Sequence, residues 1–125
     1  MGYTRYWERT EKKIDADLIC YVMDVIADCD KKGITIRNGG GTGNPIVTLD
    51  GIYINGNKDG DLCHETFYLE DKPSKFEFCK TARKPYDYAV RKILKYAEEN
   101  GFVTNVRDDG ENEEIISDEK WIGGR

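Results

Sequence analysis

The chain has 125 residues, which suits one domain with a single core. With 38% hydrophobic and 11% aromatic residues it can fill that core, which argues against wholesale disorder, while 34% charged residues and a mean hydropathy of −0.70 give a very soluble surface. A net charge of −5 argues against a general binder of bulk nucleic acid, which needs a basic face to neutralise phosphates.

No apolar run approaches the ~18 residues of a membrane span, and no charged-then-apolar leader is visible, so an intracellular, cytoplasmic setting without membrane contact is expected. Cysteine usage agrees. Cys20, Cys29, Cys63 and Cys79 form no C-x-x-C pair, and Cys20 and Cys29 fall in one predicted helix. Nine helical residues separate them by ~13 Å along the axis, too far for a disulfide. The spacing does not suit zinc either, so all four read as reduced, mostly buried small hydrophobes.

In chain order, Tyr3, Arg5 and Trp7 alternate with Thr4 and Tyr6, which predicts a first strand over residues 2–7. Thr10 can cap a helix whose apolar stripe is Ile14, Leu18, Ile19, Val22, Val25, Ile26 and Cys29. Gly33, after Lys31 and Lys32, ends it. Residues 34–37 read as a strand that runs into the glycine-rich loop 38–45. That loop either cradles phosphate through backbone N–H groups or is a mobile hairpin tip; it lacks the Lys-Ser/Thr ending of a P-loop.

Residues 46–49 and 52–54 flank Asp50-Gly51, the pair a type I′ hairpin turn demands. The next turn, 55–60, is rich in oxygen donors but lacks calcium-loop spacing, so no metal is expected, and no cofactor. Residues 63–69 predict another strand. Residues 76–80 follow with Phe76 and Phe78 on one face and Glu77 and Cys79 on the other. Pro85 suits the first position of a second helix, whose stripe is Tyr86, Ala89, Val90, Ile93, Leu94 and Ala97. Asn100-Gly101 stops it, and residues 102–106 read as a last strand. The predicted fold is α+β in the order β-α-β-β-β-β-β-α-β: a mainly antiparallel sheet with two amphipathic helices on one face. Residues 1–107 make the domain, and 108–125 an acidic, partly ordered tail.

Charge is unevenly spread. Between positions 72 and 95 eight Lys and Arg stand against Glu77 and Asp87, whereas between 98 and 119 nine acids stand against Arg107. Lys80, Thr81, Arg83 and Lys84 sit where a strand hands over to a helix, and the N–H groups and dipole of a helix start favour an anion. This stretch reads either as a phosphate or carboxylate site or as a solvated basic loop. Arg37 and loop residues Asn38, Thr42 and Asn44 could close over such a ligand. Tyr86 fits the core stripe, whereas Tyr88 lies off it and could offer a flat face to a base. His64 is the single histidine; its neighbours Cys63 and Glu65 point to the opposite strand face, which makes a local dyad geometrically poor. A structural or ligand-touching histidine is the simpler reading.

The opening MGYTRYW, with HETFYL, FEFCKTARKPYD and the GTGNP and INGN turns, resembles a group of small phage and prophage proteins that begin MGYT-x-Y-W/F and carry an FCKTARKPYD-like block. The likeness spans residues 1–107, and 78–87 is its most specific part. It brings no catalytic mechanism. It implies a viral, intracellular setting, in which small proteins often block host defences, some by sequestering nucleotide signals. The expectation is therefore a non-enzymatic anti-defence protein that sequesters a small phosphate-bearing ligand of nucleotide type. A homo-oligomer is compatible with such a role. Two rival expectations are a protein–protein inhibitor whose acidic end mimics nucleic acid, and an enzyme cleaving a nucleotide with His64.

Overall fold

In a computed structural model, residues 3–109 are described. The order is β1 (Thr4–Arg9), α1 (Ala16–Lys31), β2 (Ile46–Thr48), β3 (Gly51–Ile54), β4 (Phe67–Glu70), β5 (Ser74–Lys80), α2 (Asp87–Glu99) and β6 (Val103–Asp108). This is the expected α+β, antiparallel arrangement, divided into two three-stranded sheets, β5-β1-β6 and β2-β3-β4. The predicted strand over 34–37 contributes only one bridge, Arg37 to Asn55. Ile34 and Ile36 are buried all the same, so packing rather than a ladder holds that segment. No helix among the described residues is long and apolar enough to cross a membrane.

The inner face of β1 is unusual in what it buries. Tyr3, Arg5, Trp7 and Arg9 all point inward, so two arginines share the interior with a fully buried tryptophan. Trp7 packs on Phe67 of the second sheet, ring centres 5.1 Å apart. Arg9 has a structural task. Its guanidinium donates to the carbonyls of Glu70 (2.9 Å), Phe102 (2.7 Å), Thr10 (3.1 Å) and Lys12 (3.0 Å). Five N–H donors in one planar fork make arginine suited to collecting carbonyls that no ladder satisfies.

That arrangement explains a shifted helix start. Asp15, not Thr10, caps α1, its carboxylate accepting from the Leu18 N–H at 2.9 Å. The Thr10 hydroxyl lies close enough to bond the carbonyls of Gly101 (2.6 Å) and Phe102 (3.1 Å), tying the entry of α1 to the exit of α2. Leu18, Val22, Val25 and Cys29 bury one side of α1, and Ala89, Val90, Ile93, Leu94 and Ala97 bury most of α2. Gly33 and Gly101 stand after the two helices with φ of 81° and 85°, the conformation expected of them there.

The hairpin turn falls one residue earlier than Asp50-Gly51. Thr48 pairs with Gly51, leaving Leu49 and Asp50 in the turn, and the Thr48 hydroxyl accepts from the Asp50 and Gly51 N–H groups. Gly51 does not take a positive φ there, and a Cβ in its place would make the Tyr53 ring, 2.8 Å away, shift aside. The strand predicted over 63–69 starts only at Phe67, because Asn55 captures the His64 backbone. In β5 the alternation holds, but the buried face is that of Cys79, leaving Phe76 and Phe78 exposed. β6 runs to Asp108 and Asp109 still bonds Thr4, so ordered pairing passes the boundary drawn at 107. Residues 110–125 of the expected acidic tail lie outside the described residues.

Replacing Asp15 by Ala removes the one side-chain cap of α1 and should cost about 1 kcal/mol of stability, read as a lowered urea midpoint with unchanged slope.

Candidate functional site

The handover from β5 to α2 is built around a buried ion pair. Arg5 Nε and Nη2 donate to the two carboxylate oxygens of Asp87 at 2.7 and 2.8 Å, and Thr81 Oγ1 donates to the same carboxylate at 2.7 Å. Arg5 is 6%, Asp87 1% and Thr81 0% exposed. Burial pulls the Arg5 guanidinium towards neutrality, but the hydrogen bonds and charge of Asp87 outweigh it and leave the pKa above its ordinary value. Arg5 also reaches Asp108 of β6 at 3.3 Å, so one side chain joins β1, α2 and β6.

This changes the reading of the helix start. The anion at the dipole end of α2 is the chain's own Asp87. The N–H groups of Asp87, Tyr88, Ala89 and Val90 are all bonded to carbonyls of the preceding turn, so they offer nothing to a ligand. Pro85 lies in that turn and the helix begins at Asp87. Thr81, expected to meet a phosphate, is turned inward and holds the turn together instead.

The turn itself is a tight corner. Ala82 and Arg83 take left-handed φ of 53° and 57°, and the N–H groups of Thr81 and Ala82 both donate to the Tyr3 carbonyl. Left-handed backbone is costly for residues with a Cβ, so the interior network must hold it. Lys80, Arg83 and Lys84 leave this corner outward. Lys80 is exposed; Arg83 lies over the Tyr3 ring at 4.0 Å; Lys84 reaches the Asp61 carbonyl at 2.8 Å and its carboxylate at 3.5 Å. Asp61 is 92% exposed, and such a surface pair is worth about 1 kcal/mol or less, so a ligand dianion could displace it.

Asn55 and Glu65 join the other predicted residues to this corner. The Asn55 carboxamide donates to the Gly39 and His64 carbonyls and accepts from the His64 and Gly56 N–H groups. Glu65 accepts from the Lys80 N–H at 2.8 Å, and its carbonyl accepts from the Tyr86 hydroxyl at 2.5 Å. Loop 38–44 is thus fastened to the 55–66 segment, which is fastened to Lys80. Within the loop, Asn38 Oδ1 accepts from the Gly40 and Thr42 N–H groups, and Gly41 N–H donates to the Asn38 carbonyl. Those donors are spent internally, against the cradle expectation. Thr42, Asn44 and His64 are exposed, and Arg37 carries a buried Nε with no partner among the described residues. Tyr88 stands apart: it is 3% exposed and its hydroxyl donates to Asp28 of α1 at 2.9 Å.

Cys79 is fully buried beside this corner, its thiol directed at the Glu65 carbonyl. Burial pushes its pKa up to about 12, opposite to what a thiolate nucleophile requires. Cys29 is raised to about 12 by burial as well. No group of three or more metal-ligating side chains occurs among the described residues. Clefts of about 440 and 300 Å³ lie elsewhere, the first beside Glu8, Arg9, Ser74 and Lys75, the second beside Tyr53, Glu70 and Lys72.

Comparison with protein-family models, with curated proteins and with solved structures gives no match.

The residues that reasoning from sequence missed are Arg5, Asp87, Asn55 and Glu65. Arg5 had a usable signal: a cation at an inward position of a strand requires a buried partner. Asp87, at the start of α2 directly after a basic run, was the acid available.

Replacing Asp87 by Asn should destabilise the fold by about 3–5 kcal/mol, since it strands a buried guanidinium, and a thermal or urea melt reads this directly. Iodoacetamide at pH 8 should alkylate exposed Cys20 while Cys29 and Cys79 stay protected until the chain unfolds, as followed by mass spectrometry. The two buried thiols keep their protons to higher pH when folded. Their stabilising contribution is therefore complete below the ordinary value of 9.0 and is lost as pH climbs towards about 12.

Proposed function

We propose that the protein binds a small phosphate-bearing ligand of nucleotide type and sequesters it, with Lys80, Arg83 and Lys84 as the anion-holding side chains. The observation that carries this reading is the rigid left-handed corner locked by Arg5, Asp87 and Thr81, from which three cations leave one short turn. A turn whose backbone is held by buried hydrogen bonds loses little backbone entropy on binding, and planar guanidinium and compact ammonium groups are complementary donors for phosphate. Holding the ligand away from a host effector, as an anti-defence protein of a phage would, is the biological role that the resemblance of residues 1–107 suggests.

Isothermal titration against a nucleotide panel tests this. Binding should weaken as salt rises, and Lys80→Gln, at an exposed position, should lower affinity about fivefold or more without changing the melting temperature. No heat with any phosphorylated compound, or equal binding by Lys80→Gln and Arg83→Gln, would overturn the reading.

A further inference from the structure

The outer face of the β5-β1-β6 sheet carries an aromatic surface that the corner alone does not explain. Tyr6 of β1 lies opposite Phe78 of β5, and Phe76 is two residues earlier on the same strand. The Tyr6 and Phe76 ring centres are 5.9 Å apart and those of Phe76 and Phe78 are 5.7 Å apart, with tilts of 35° and 46°. None of the three is stacked face to face on another. Phe76 and Phe78 are 51% and 47% exposed, whereas Phe67 and Phe102 are buried. Arg107 of β6, opposite Tyr6, places its guanidinium 5.2 Å from the Tyr6 ring centre and 5.9 Å from that of Phe76. Lys80 is two residues beyond Phe78 on the same strand face, at the corner already described.

We infer that this face stacks the bases of a ligand with at least two linked nucleotides, whose phosphates Lys80 and the corner hold; the inference rests on the reading above for its phosphate half. Every base presents a π-face, and rings set on a sheet beside cations bind them without regard to sequence. The two cations beside the rings favour this occupant. Among the described residues the nearby carboxylates are hydrogen-bonded, Asp109 to the Tyr6 hydroxyl and Thr4 N–H, Asp108 to Arg5, and Glu8 to Asn105; of these only Asp108 has a cation for a partner. The cations Lys80 and Arg107 rim the rings. An apolar protein partner would have to desolvate those two charges, whereas the phosphates of a nucleotide bring counter-charge with them.

Titration of the full chain with 5′-phosphorylated diadenylate, adenosine monophosphate and inorganic phosphate tests this. The dinucleotide should bind at least about tenfold tighter than the monophosphate, and Phe78→Leu or Phe76→Leu should remove about that factor. Both positions are exposed, so the fold should tolerate leucine. Equal affinity for the dinucleotide and the monophosphate, or a dinucleotide affinity indifferent to the leucine variants but reduced in Lys80→Gln, overturns the stacking surface and leaves the phosphate corner standing. Loss in the leucine variants with none in Lys80→Gln and Arg83→Gln upholds the surface and removes the corner. No binding at all overturns both. A dimer in sedimentation that the leucine variants dissolve, without dinucleotide binding, makes this face a self-interface and also overturns the inference.

Discussion

One carboxylate holds the molecule's geometry. Asp87 receives both arms of Arg5 and the hydroxyl of Thr81 in a setting almost without solvent. A buried pair of this kind is poor evidence of net stability, because desolvating two ions costs nearly as much as their attraction returns. Its value lies in specificity. Arg5 has one position in which both of its forked donors are met, and that position sets where α2 begins, how the 80–84 turn bends, and how β6 meets β1 at Asp108.

The same logic recurs at Arg9 and Asn55. Arg9 gathers four carbonyls from three separate stretches of chain, and Asn55 clamps loop 38–44 to the 55–66 segment through one carboxamide. Side chains here do the work that ladders do in more regular folds, and buried backbone polar groups find partners by that route. Loops fastened in this way differ from the mobile tip that a run of glycines suggests.

Periodicity revealed much of the frame. The stripe of α1, the stop at Gly33, the alternation in β1 and the end of α2 at Gly101 all follow from local rules and stand in the structure. What local rules missed came from contacts across distant positions. Thr10 is a good cap, but Gly101 and Phe102 claim its hydroxyl. Pro85 suits a helix start, yet the pull of Arg5 on Asp87 sets the boundary two residues later. For the candidate site, the cations at 80, 83 and 84 were legible, but the inward turn of Thr81 and the burial of Tyr88 were not. Each depends on a partner far away in the chain: Arg5, bound to Asp87 beside Thr81, and Asp28 beneath Tyr88. Alternation also could not say which face of β5 is covered: Cys79 packs inward at Glu65 and Tyr86, while Phe76 and Phe78 share the open face with Tyr6 and Arg107.

The position of β1 carries a consequence for folding. It precedes both of its sheet neighbours, β5 and β6, by more than half of the described chain. Until those two strands pair with it, Trp7 and two interior arginines stay in water. The closing of such a large loop is slow, which places assembly of this sheet late in folding.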